Sequence, residues 1–481
     1  MKVTLEKTLL VLGFLFFILV SISLGVEPVF LITVLIWFSF FLYSFLGAKK
    51  HIMLLAFLLV FFIFLLGRDF LQQYFSYKVE IFEDEVQNHA WNSYSLSLLI
   101  IGFSYLFFQW QNQRKGKDML TGQDEGNLGN SSYTIMVRKL SLFIYYLSWF
   151  FAIASKIIMS RFAFSRGFTD LYTDYSDYVS GNFFLFMINK IELVMPVAFC
   201  IFLSTVPSKK QFKVPCVLYL IYLLISLGSG QRSPAMLGLF FLLIYLAYRH
   251  ERNPEEKWLN RHLIFFGILS LPILLASMSF YTTLREGGNI TTLSISKGVM
   301  DFFYDQGVST NVVKRAYMLE AHIPNQIYTL EFLHSGILAR LLGIPVYHGN
   351  SVAHALFGGS FTHTIGYLVM GGAYFSGRGT GSSYIAELYQ DFHLWGILFG
   401  NLLYGWLIYR IDCLRKNKSI FSRSILLLII MQILWAPRGS FSYFISQNFI
   451  PTTILIYVAI FGFSEIWCRY RDRRGGHYAK R

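Results

Sequence analysis

Four arginines carry the clearest chemical signal in this chain. Arg232 lies in GSGQRSP, between two nearly uncharged runs, VLYLIYLLISL and MLGLFFLLIYLAY. Arg285 lies in TTLREGGN, Arg378 in FSGRGTGSSY and Arg438 in APRGSFSYFISQN. A guanidinium is planar, presents a fork of donors and stays charged at any relevant pH. It therefore suits a carboxylate or a pyrophosphate. Gln231 and Tyr443 add polar groups beside two of these arginines. Taken singly, each arginine also fits a plainer role. Arg232 and Arg438 suit interfacial anchors, and Arg285 can pair with Glu286.

The stretch around Arg378 is the richest. Gly377, Gly379 and Gly381 make a bend whose backbone N–H groups can form an anion nest. Ser382 or Ser383 can cap a helix that follows. On that helix Glu387 and Asp391 are four apart and share a face, with His393 just beyond. A carboxylate there can take a proton from a hydroxyl, or orient a histidine that does. Tyr384, Tyr389 and Trp395 can stack on sugar rings or form an interfacial belt. The GxGxxG-like spacing lacks the strand–turn–helix context of a dinucleotide site. The histidines His322, His334, His348, His354 and His363 show no metal spacing, and the four cysteines are scattered.

These residues must be held by membrane-crossing helices. The chain has 481 residues, is 55% hydrophobic and only 14% charged, against about 25% charged in a soluble domain. Apolar runs near 8–26, 29–46, 52–67, 93–110, 139–158, 183–203, 214–229, 234–248, 262–280, 394–410, 420–436 and 449–467 predict about twelve spans. The fold class is an all-α polytopic membrane protein. With the N-terminus in the cytoplasm, every inner connection is basic, from Lys49-Lys50 to the tail RYRDRRGGHYAKR. The acidic EIFEDE falls outside, as do all four arginines. The net charge of +14 is thus a topology signal, with no basic–aromatic array for nucleic acid. The organisation reads as spans one to nine over 1–280, a large external segment over 281–393, spans ten to twelve over 394–468 and a basic tail over 469–481. Within the external segment, 330–345 has the spacing of a surface amphipathic helix. Lys190 and Glu192, inside the sixth span, mark a boundary error, an internal polar contact or part of a lumen.

The chain resembles the bacterial Wzy-type polysaccharide polymerases. The resemblance rests on the span number, the late external segment, the turn GQRSP and the segment GTGSSYIAELYQDFHLWGILFG, with Gly379, Gly381, Ser382, Glu387, Phe392 and Gly396. It implies a multi-span glycosyltransferase of GT-C-like architecture in the bacterial cytoplasmic membrane. Its substrates would be an undecaprenyl-pyrophosphate-linked oligosaccharide and the growing glycan. Its surroundings would be membrane lipids, with a chain-length regulator and a flippase as partners. An acceptor hydroxyl would attack the donor anomeric carbon and undecaprenyl pyrophosphate would leave, with no cofactor and no metal. The roles that follow are catalytic for Glu387, His393, Arg232 and Arg378. Arg285, Arg438, Gln231, Ser382, Tyr384, Asp391 and Tyr443 would bind substrate. A lipid-linked glycan ligase and a polysaccharide flippase are the alternatives.

Overall fold

A computed structural model describes residues 13, 17–114, 131–168, 170–230, 232–259, 294–417 and 419–478. The longer helices are α1 (Pro28–Leu46), α2 (Ile52–Phe75), α3 (Asp84–Arg114), α4 (Ser132–Arg166), α5 (Phe183–Ser204) and α6 (Lys209–Ser229). After them come α7 (Ser233–Arg252), α8 (Ile295–Gln306), α9 (Val308–Met318) and α10 (Phe361–Met370). The chain ends with α11 (Tyr384–Asp412), α12 (Ile420–Arg438) and α13 (Pro451–Arg471). Among the described residues, nine helices are long and apolar enough to cross a membrane: α1 to α6 and α11 to α13. The chain is therefore an all-α, multi-pass membrane protein. A bilayer offers no partner to bare backbone, so helices that bond internally are the economical way across. The expected span 234–248 lies within α7. Residues 8–12 and 14–16 of the expected span 8–26, and all of 262–280, fall outside the described residues.

The most heavily buried spans are α2, α12, α3 and α11. Polar ties hold them together where lipid gives no hydrophobic drive. Asn401 on α11 donates to Ser97 on α3 (3.1 Å) and accepts from Tyr384 (2.9 Å). Asp412 accepts from the N–H groups of Met53 and Leu54 and from Tyr105. Lys156 and Glu192 pair at 2.6 Å, with Ser155 and Tyr222 donating to the same carboxylate. Glu192 thus makes an internal polar contact, while Lys190 is exposed beside the Phe186 ring.

Two features differ from the sequence expectation. Helix α11 starts ten residues before the expected span 394–410, so Glu387 and Asp391 ride on a continuation of it. The helix breaks within that continuation. Phe392 has φ −141° and His393 has φ 50°, ψ −136°. The break folds Leu388 back over Gly396, where an added Cβ would meet the Leu388 carbonyl oxygen at 2.0 Å. Only glycine allows that approach. The second difference is at 330–345. A 3-10 stretch over Tyr328–Leu333 and a six-residue helix, Gly336–Leu341, replace the expected amphipathic helix. The two are separated by His334 and Ser335, and Ser335 has extended backbone.

The described part of the segment expected outside, 294–393, is organised and docked on the bundle. Buried Lys314 of α9 pairs with buried Asp69 of α2 at 2.7 Å. Trp91 donates to the same carboxylate at 2.7 Å. Arg315 and Asn311 reach Glu80, and Tyr77 donates to Asp301 on α8. Acidic residues before α3 thus meet basic residues of α9.

Candidate active site: an arginine cluster at one end of the bundle

Helices α7 and α12 pack against one another and run in opposite directions, because Arg232 at the start of α7 acts on Arg438 at the end of α12, and Arg252 at the end of α7 acts on Arg423 at the start of α12. Arg232 precedes α7 and Arg249 lies in its last turn, about 25 Å further along by helical rise. On α12, Arg423 lies in the first turn and Arg438 at the end, a similar distance. The two helices thus set Arg252 near Arg423 at one end and Arg232 near Arg438 at the other. At the first end Arg249 donates to the Pro207 carbonyl (2.6 Å) and stacks on Trp258 (4.2 Å). At the second end Arg438 donates from Nη1 to the carbonyl and side-chain oxygens of Gln306 (3.1 and 3.2 Å). It also lies over the Trp435 and Phe64 rings, at 5.6 and 5.8 Å.

A third arginine joins them. Arg438 lies within the electrostatic reach of both Arg232 and Arg68, with Asp305 and Tyr172 also acting on it. Arg68 is buried, stacks on the Tyr304 ring at 4.1 Å and donates from Nε to the Tyr304 carbonyl at 3.0 Å. Its Nη1 and Nη2, and Nε and Nη2 of Arg438, have no acceptor among the described residues. Like charges gathered in a low-dielectric place cost several kcal/mol unless an anion matches them. Asp305 is the acidic group that acts on Arg438 here. Arg232 and Gln306 also line a narrow pocket of about 40 Å³, floored by Phe64, Phe302 and Trp435.

Each arginine is placed by a different element. Helix α2 makes a π-turn over Phe62–Leu66, one step before Arg68, and this turn contacts the 3-10 turn Ala436–Arg438. Such turns recur at functional sites because they re-aim side chains. Helix α8 brings Tyr304, Asp305 and Gln306 over the cluster. Arg68 was missed in the sequence because it follows directly on the apolar run 52–67. Its position at a helix end that the charge pattern predicts to be outer, level with the other arginines, was the available signal.

The remaining candidates are dispersed. Arg378 is exposed on the turn 377–381. The far end of that turn, Gly381, lies against the Arg438 backbone, with a built Cβ 3.8 Å from its carbonyl oxygen. Gln231 and Arg285 lie outside the described residues. Glu387, the expected base, is wholly buried and has both oxygens occupied. Oε1 accepts from Ser382 (2.6 Å), and Oε2 accepts from Ser440 (3.0 Å) and from the Phe441 N–H (2.8 Å). It ties the GTGSS turn to the turn carrying Arg438. Ser382 is thereby committed to Glu387, and Ser383, at the N-cap of α11, makes no capping bond. Asp391 accepts from the N–H groups of Tyr328 and Thr329 and from the Thr329 hydroxyl. It therefore anchors the stretch 328–333. Tyr384 is buried, and its hydroxyl donates to Asn401. Tyr443 is half-buried, and the charge of Glu331 reaches it. His393 is exposed, with Nδ1 3.7 Å from Glu320.

Glu331 is a further carboxylate that the sequence did not single out. It is half-buried, acts on Glu387 and Tyr443, and its own oxygens have no hydrogen-bond partner among the described residues. Two histidines of the segment 294–393, His354 and His363, also meet across the fold. They stack at 3.6 Å, and His363 Nδ1 lies 2.8 Å from the Tyr374 hydroxyl. Burial pushes His363 down to about 4, so it is neutral at ordinary pH. No group of three metal-ligating side chains occurs among the described residues.

A family model described as O-antigen polysaccharide polymerase Wzy matches residues 7–471. No curated protein and no solved structure matches the chain. The match runs through the arginine cluster, the docked external segment and nearly every helix of the bundle, and the chain belongs to the Wzy family of O-antigen polysaccharide polymerases.

Proposed function

We propose that this protein joins undecaprenyl-pyrophosphate-linked repeat units into a polysaccharide at the outer face of the bacterial cytoplasmic membrane. The observation that carries this reading is the meeting of Arg68, Arg232 and Arg438, with unengaged donors on two of them. Family membership supplies the polymerase class and the lipid-linked substrate. Twelve spans, in a GT-C-like arrangement, would comprise the nine helices above, α7, and the segments 8–26 and 262–280.

In the reaction the acceptor hydroxyl oxygen forms a bond to the donor anomeric carbon. The bond from that carbon to the diphosphate oxygen breaks, and its electron pair leaves with the diphosphate. Negative charge grows there, and the preorganised arginines stabilise it more in the transition state than in the ground state. The hydroxyl proton needs an acceptor. Glu387 has no free oxygen, so we assign the proton to Glu331, whose carboxylate is unengaged. Glu387 acts as the brace that holds the Arg438 turn. Arg378 and Arg285 remain candidates for the second pyrophosphate, that of the acceptor.

Purified protein supplied with lipid-linked repeat unit alone is expected to form a ladder of products, which a ligase needing a second acceptor would not. Arg68→Ala, Arg232→Ala and Arg438→Ala are each expected to lower kcat by about a hundredfold or more. Lysine at position 68 is expected to restore little, because it lacks the planar fork that stacks on Tyr304. Full activity in all three correctly folded alanine variants would falsify the assignment.

A further inference from the structure

A second cleft opens at the far end of α9. It measures about 490 Å³ and is lined by Glu85, Val86, Tyr317, Met318, Glu320 and Ala321. Beside it runs a continuous aromatic array. His89 stacks on Tyr317 at 3.9 Å and meets Tyr389 edge-on at 4.3 Å. Tyr389 in turn meets His393 at 5.2 Å. The polar groups on the cleft are mostly acceptors. The Tyr317 hydroxyl donates to Glu85 at 2.8 Å, and Glu320 faces His393 at 3.7 Å. The cleft is bordered by the break in α11, where His393 holds a positive φ that costs a non-glycine residue energy.

We propose that this cleft is a glycan subsite, which binds neutral or amino sugars of the growing chain. The proposal rests on the polymerase reading above. Flat rings beside carboxylate acceptors match the two kinds of surface a sugar presents, its C–H faces and its hydroxyl donors. The two carboxylates repel uronic and other acidic sugars, so the cleft also selects. Its position fits the donor. Helix α9 starts where Gln306 and Gly307 meet Arg438 and Arg68, and ends at Tyr317 and Met318 in the cleft. Its eleven residues span about 16 Å. A glycan whose diphosphate sits on the arginines therefore reaches the cleft with sugars beyond the reacting one. The subsite holds the growing chain and takes no part in bond making.

The test titrates purified protein in nanodiscs with two probes. One is the lipid-free repeat-unit oligosaccharide, released from its carrier by mild acid; the other is undecaprenyl pyrophosphate without sugar. Glu320→Gln and Tyr389→Leu are expected to weaken oligosaccharide binding about tenfold and to leave undecaprenyl pyrophosphate binding unchanged. Both are also expected to raise KM for the lipid-linked donor, with kcat nearly constant, and to shorten the product. Should Tyr389→Leu fail to fold, Tyr317→Phe, which removes one hydroxyl, carries the same expectation. Native oligosaccharide affinity in these variants overturns the subsite, as does wild-type protein that binds no oligosaccharide. If the oligosaccharide binds and these variants weaken it, but lipid-linked units give no polymer, the subsite stands and the polymerase reading fails.

Discussion

At the scale of single residues, two carboxylates divide roles that the sequence assigned to one. Glu387 meets three donors in a buried place, so its loss removes the tie between two turns. Glu331 meets none among the described residues, so it retains the capacity to accept a proton. These arrangements predict opposite phenotypes. Glu387→Gln puts an amide nitrogen against donors and is expected to cost about 1–3 kcal/mol of stability, seen as a lower Tm in detergent. Glu331→Gln is expected to leave Tm unchanged and to lower kcat by about a hundredfold. A Glu331→Gln enzyme with native kcat would return the proton to another acceptor. The sequence could not separate the two carboxylates, because spacing places a residue on a helix face but does not list its partners.

At the scale of elements, the pair between Asp69 and Lys314 decides how the external segment sits. Both side chains are nearly inaccessible, and Asp69 neighbours Arg68 in sequence. Removing one member leaves an unmatched buried charge. Lys314→Met is expected to cost about 3–5 kcal/mol. The double variant Asp69→Asn/Lys314→Met should recover part of that loss, because it leaves no orphan. Thermal unfolding of the purified protein measures both. The π-turn before Arg68 and the break in α11 belong to the same scale. Apolar runs showed where helices lie, since a span needs about 20 apolar residues whatever surrounds it. They were silent on a wider turn or a broken one, because neither changes composition.

At the scale of the whole molecule, the bundle has two chemically distinct ends. One carries Arg138, Arg249, Arg252 and Arg423, engaged by backbone carbonyls and tyrosines. The other carries Arg68, Arg232 and Arg438 beneath the docked segment. Positive-inside bias predicts that the first end faces the cytoplasm. A cysteine at Lys416 is then expected to react with a membrane-impermeant thiol reagent only in opened vesicles. A cysteine at Gly349, on an exposed turn of the external segment, is expected to react in intact cells. The reverse labelling would put the arginine cluster on the wrong side for a polymer made outside.

The sequence by itself determined the class of this protein and most of its long helices, and it predicted an outer level for four arginines. Hydropathy and charge act locally through the bilayer, so they can be read residue by residue. It also showed that Arg232 and Arg438 needed a common reason. Only the tertiary structure decided that they meet, because their approach depends on the antiparallel packing of α7 and α12, elements far apart in the chain. It decided as well that Arg68 joins them, that Glu387 is a brace and that Tyr317, Tyr389 and His393 border one cleft. Those outcomes depend on which partners packing brings to each donor and acceptor, and spacing and composition along the chain do not show those partners.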